Sequence, residues 1–176
     1  MDGEPVRFRR LLFLVAVALA LGLGVRAWVL EPIFVASPSM EPTLPTGTHL
    51  FLDKVTFRLR EPRRQDIIVL CSPERDGRDL IKRVIALPGE TVELRAKKVL
   101  IDGRELEEPY ARHKREGELL EGDDLGPLSV PAQSYFVLGD DRDESRDSSV
   151  WKDPATGEPI HFVRRQDVRG LVRGMY

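Results

Sequence analysis

A single cysteine, Cys71, in 176 residues excludes an internal disulfide, so the fold must stand on its packed core alone. Histidine is almost as scarce. His49, His113 and His161 are scattered too widely for a zinc-ligand spacing, and no metal or other cofactor is expected. An excess of one charge is missing as well: 27 Lys and Arg face 29 Asp and Glu, for a net charge of -2. With no basic stripe gathered anywhere, nucleic acid is excluded as a partner. The chain also lacks internal repeats and low-complexity tracts, and its length suits one domain plus an anchor.

What is present begins with an apolar run. Leu11 to Val25 are fifteen apolar or glycine positions, and after Arg26 the run resumes through Leu30. Residues 11–30, as a helix, would span about 30 Å, the thickness of a bilayer core. Arg26 near its end can snorkel to the headgroups, and Trp28 suits the interface. Arg7, Arg9 and Arg10 precede the run, and no Lys or Arg follows it before Lys54. The positive-inside rule therefore predicts a cytoplasmic tail over 1–10, a transmembrane anchor over 11–30 and an extracytoplasmic domain over 31–176. A cleaved secretory signal has the same opening, but no small-x-small site follows the run.

Beyond Glu31 no helical period lasts. Short apolar runs (Ile33 to Ala36, His49 to Leu52, Ile67 to Leu70, Leu80 to Leu87, Thr91 to Leu94, Lys98 to Ile101, Tyr135 to Leu138, Val168 to Val172) alternate with Gly and Pro turn signals. The pattern predicts a mostly β domain, an antiparallel coiled sheet or barrel. Val99-Leu100-Ile101 running into Asp102-Gly103 predicts a hairpin. Residues 104–127 are charged and poor in apolar side chains, and read as an exposed excursion.

Three segments carry the chemistry. In Ser37-Pro38-Ser39-Met40-Glu41-Pro42, two prolines exclude Ser39 from a helix interior and suggest a rigid extended segment that presents its hydroxyl. A proline-rich linker leaving the membrane would look the same. In Leu80-Ile81-Lys82-Arg83-Val84-Ile85-Ala86, strand alternation puts Lys82 on one face with Leu80, Val84 and Ala86. Burial there lowers the proton affinity of the amine, and a desolvated lysine can serve as base to a serine. A lysine on a solvated strand face is the commoner case, and the segment alone does not decide. The third segment, Gly139 to Ser148, invites a calcium loop; an EF-hand would need Gly and Glu where Arg146 and Lys152 stand. It is read instead as a polar loop able to fix a neighbouring lysine.

In this order behind an apolar N-terminus, these segments resemble the bacterial type I signal peptidases. The resemblance covers nearly the whole chain and includes the strand Arg64-Gln65-Asp66-Ile67-Ile68-Val69. It implies a single transmembrane helix followed by a signal-peptidase-type β domain. Ser39 would be the nucleophile and Lys82 the general base. Ser37 would complete the oxyanion hole with the Ser39 N–H, Ser145 would orient the lysine, and Asp147 would support that arrangement. Phe34, Val35, Ala36, Met40, Leu80 and Ile81 would contact substrate.

The chain departs from the family pattern in several places. Val35-Ala36 replace Ile-Pro, Gln65 replaces Gly, Asp141 and Glu144 replace Asn, and Ser149 replaces an Arg that would pair with Asp147. Residues Lys152 to Pro159 look inserted.

The implied activity is cleavage of N-terminal signal peptides from exported preproteins after a small residue, at the bacterial inner membrane. The implied partners are preprotein signal peptides and the lipid bilayer, with the enzyme monomeric. Two other functions share part of the pattern: a self-cleaving repressor, which would need a DNA-binding N-terminus where this chain has an apolar run, and a tethered, non-catalytic β domain that binds exported polypeptides.

Overall fold

The computed structural model describes residues 4–175, and the side chains of residues 8–24 and 28–174. The N-terminal apolar run forms helix α1, Glu4–Trp28. Its apolar side chains from Phe8 to Leu23 are exposed; the side chains of Arg7 and Arg26, on which the orientation and snorkelling readings draw, lie outside the described residues. Among the described residues no helix is long and apolar enough to cross a membrane.

The rest is strand and turn: β1 Leu30–Phe34, β2 His49–Asp53, a short helix α2 Thr56–Leu59, β3 Ile67–Cys71, β4 Asp79–Ala86, β5 Thr91–Arg95, β6 Lys98–Ile101, β7 Arg104–Glu105, β8 Leu125–Ser129, β9 Ser134–Leu138, β10 Val163–Arg164 and β11 Val168–Met175. Seven strands form one antiparallel sheet in the order β1-β2-β11-β3-β4-β9-β10, and four form a second, β7-β6-β5-β8. Register shifts break the ladders of β11 with both its neighbours and of β4 with β9. Such bulges bend a strand and let a sheet curl.

All eight expected runs lie on strands, with ends displaced by up to three residues. The hairpin at Asp102-Gly103 is present too. Both residues have positive φ, at 50° and 77°, as a two-residue type I′ turn requires, and β6 pairs with β7 across it.

Three packed clusters hold these layers. Ile68, Leu70, Val84, Val137 and the fully buried Trp151 fill one. Val92, Val99, Phe136 and Leu138 fill a second between the sheets. Val35, Met40, Leu44 and Leu50 form a third beneath the serine segment. Residues 104–127 are mostly exposed, yet the segment is anchored. It contains β7 and the start of β8, buries Asp123, and donates the Arg112 N–H to the Asp140 carbonyl at 2.7 Å.

Candidate active site

Ser39 lies in a single 3-10 turn, Pro38–Met40, which corrects the expectation of an extended segment. The prolines act differently from that reading. Proline is favourable at the first position of a helical turn, where its missing N–H costs nothing, and Pro38 sits there. The chain then returns to extended backbone at Glu41, as a residue before proline prefers. The turn buries Met40 in the cluster below and leaves Ser39 7% exposed at the surface above it. Ser39 Oγ shares a hydrogen bond of 3.3 Å with Ser37 Oγ, while the Ser39 carbonyl accepts the Asp141 N–H at 3.1 Å.

Lys82 stands in the middle of β4, between β3 and β9, paired in register with Ile68. It is 3% exposed, and its ammonium donates to Ser145 Oγ at 2.9 Å. Burial pulls its pKa down to about 8, against the opposing pull of the Asp147 and Asp140 carboxylates. A lysine so placed carries a free amine far more often than an exposed one at the same pH.

Ser37, Ser39 and Lys82 line one cleft of about 270 Å³, whose walls include Phe34, Val35, Ala36, Met40, Leu80 and Ile81. Phe34, 55% exposed, flanks the mouth. Lys82 and Ser39 each bond to another serine and not to one another; catalytic hydrogen bonds commonly tighten only when substrate fills the site.

Ser145 and Asp147 stand behind the lysine. Asp147 is 1% exposed and acts on Lys82 through its charge, which opposes the lowering of the lysine's pKa. Its carboxylate accepts the Gly139 N–H at 2.9 Å, the Ser149 N–H at 3.1 Å and the Ser149 hydroxyl at 2.8 Å. Ser149 thus supplies donors where the resemblance leads one to expect an arginine.

Four further residues brace the site. Arg83, which strand alternation turns away from the Lys82 face, is itself buried. Its guanidinium binds Asp140 at 2.8 and 2.5 Å, lies over the Tyr110 ring 3.9 Å away, and donates to the Thr43 hydroxyl at 3.3 Å and to the Gln65 carbonyl at 3.1 Å. Thr43, four residues after Ser39, donates to the same Asp140 at 2.5 Å. Gly139 completes the brace: a Cβ there would overlap both Ser145 Oγ and the Ser39 carbonyl. These contacts tie the serine turn, the lysine strand and the loop after β9 into one unit.

Breaking a buried ion pair strands its partner's charge. Asp140→Asn should therefore lower stability by about 3–5 kcal/mol in chemical denaturation, with activity falling as the serine turn loosens. A change below about 1 kcal/mol would mean that the Arg83–Asp140 pair does not hold the site.

Comparison with known proteins supplies the class. The family model described as signal peptidase, peptidase S26, matches residues 8–176. Signal peptidase I of Leptolyngbya laminosa is 39% identical over 163 residues, covering 89% of this chain and 73% of its own. Signal peptidase I P of Bacillus subtilis subsp. natto is 38% identical over 138 residues, covering 76% and 74%. The crystal structure of a signal peptidase I from Enterococcus faecalis V583 aligns at a TM-score of 0.50 and 34% identity, over 65% of this chain and 98% of that one. The class is serine endopeptidase. Within it, the chain belongs to the signal peptidase family, peptidase S26.

Proposed function

We propose that this enzyme is a membrane-anchored signal peptidase working through a Ser39–Lys82 dyad. The observation that carries the reading is the buried Lys82, hydrogen-bonded to Ser145, in the cleft that also presents Ser39. A preprotein would enter as an extended strand beside Phe34–Ser37, adding to the edge of the sheet at β1. Neutral Lys82 would take the Ser39 proton as Oγ attacks the carbonyl. Ser37 and the Ser39 N–H would then hold the developing oxyanion, an interaction worth about 2.7–4 kcal/mol per donor. Protonated Lys82 would release the amine, and water would resolve the acyl-enzyme.

The expected anchor over 11–30 is cut short at its end, because Leu30 opens strand β1 and pairs with Asp53; its reading as an anchor draws on α1, where the side chains from Leu11 to Leu23 are apolar or glycine and exposed, a surface that calls for lipid or another apolar partner. Ser39 follows Trp28, the last residue of α1, by eleven residues, so it stays within about 40 Å of the helix end. A signal peptide lying in the same bilayer would present its cut site at that height, which raises the effective concentration of both partners.

The test is to incubate the detergent-solubilised protein with a preprotein and sequence the new N-terminus. Met40, Leu80 and Ile81 wall the cleft beside Ser39, so cleavage should follow a small residue, chiefly Ala. Efficient cleavage after Leu, Phe or Lys would refute the assignment of these walls.

A further inference from the structure

Beside Lys82, five charged side chains line the cleft: Glu74, Arg78, Asp79, Glu144 and Arg146. Four of them are neutralised. Glu74 pairs with Arg146 at 2.5 Å, Arg78 pairs with Asp76, and Asp79 pairs with Arg169 at 2.8 Å. Glu144 is the exception. Its backbone N–H is held by the Asp141 carbonyl at 3.2 Å, but its exposed carboxylate makes no side-chain hydrogen bond or ion pair among the described residues. The cation it influences, Lys114, is itself bound to Asp141 at 2.7 Å.

The position of Glu144 relative to the chemistry follows from its neighbour. The acyl half of a substrate would lie along Phe34 to Ala36, whereas the amine half must leave past the group that protonates it, Lys82. Lys82 bonds to Ser145, and Glu144 directly precedes Ser145. We propose that Glu144 is a specificity residue: it favours preproteins with a basic side chain just after the cut and disfavours acidic ones. The inference rests on the dyad reading above and adds the sign of charge that the leaving half prefers.

The experiment compares kcat/KM for three preprotein-derived peptides that differ only in carrying Lys, Gln or Glu at the second residue after the cut. Wild-type enzyme should prefer Lys over Glu by about two- to fivefold, the range of an exposed charge contact, and added salt should shrink the ratio. Glu144→Gln should bring the ratio near one with the Gln peptide cleaved as before, and Glu144→Lys should invert it. If the Gln peptide is cleaved but the ratio is unchanged in Glu144→Gln and Glu144→Lys, the inference is wrong while the dyad stands. If the Gln peptide is not cleaved at all, or is cleaved equally by Ser39→Ala, the dyad reading fails and takes the inference with it.

Discussion

Ser39→Ala should reduce kcat for preprotein cleavage by at least about a thousandfold, the loss expected when a covalent nucleophile is removed from an otherwise intact site. The fold should be almost untouched. Among the described residues the Ser39 hydroxyl makes one hydrogen bond, the 3.3 Å contact to Ser37, and the turn that carries it is held instead by Met40 in the cluster below and by the Asp141 N–H on the Ser39 carbonyl. Thermal unfolding and preprotein binding should therefore survive the change. Retention of more than a few per cent of activity would show that another group attacks the peptide bond.

Lys82→Arg should be equally severe despite keeping the charge. Guanidinium does not give up its proton in a protein, so it cannot act as base, and its planar fork is too wide for a position that is 3% exposed. Lys82→Met separates chemistry from stability. Burial holds the lysine at about 8 instead of 10.5, and 1.36 kcal/mol per pH unit makes that a cost to the folded state of about 3 kcal/mol at neutral pH. The sign is clear: the unfolded chain binds the extra proton, so the cost is full below about pH 8 and fades as pH rises towards 10.5. Lys82→Met should thus be inactive and more stable than wild type at pH 7, with the gap closing at high pH. An inactive but destabilised Lys82→Met would mean that the lysine's contacts outweigh its desolvation.

Much of this could be read from the chain because the relevant signals are local. Alternation around Lys82 identifies a lysine on an apolar face, and Asp102-Gly103 specifies its hairpin by backbone preference alone. What was not legible depends on distant partners. Nothing in the alternation that turns Arg83 away from Lys82 shows that Arg83 is buried; that depends on Asp140, 57 positions later, which neutralises it. Strand β8, Leu125–Ser129, contains Gly126 and Pro127 and shows no alternation long enough to notice; it exists because Leu125 and Leu128 pack on the second cluster. The turn at Ser39 was misjudged because proline both forbids a helix interior and favours a helix start, and only the packing of Met40 decides between the two. The absence of an arginine at 149 proved less disruptive than its loss suggests, since backbone and hydroxyl donors satisfy Asp147 in its place.

The pH dependence of kcat/KM is the most direct test of the lysine base, because its acidic limb reports the essential base in the free enzyme. None of the three histidines lines the cleft; His49 touches a residue that does, Phe34, with 5.3 Å between ring centroids. Wild-type activity should fall as pH drops below about 8, and His49→Ala, His113→Ala and His161→Ala should each leave that limb where it is. A limb near the ordinary histidine value of about 6.5 that disappears in one of those variants would contradict the account.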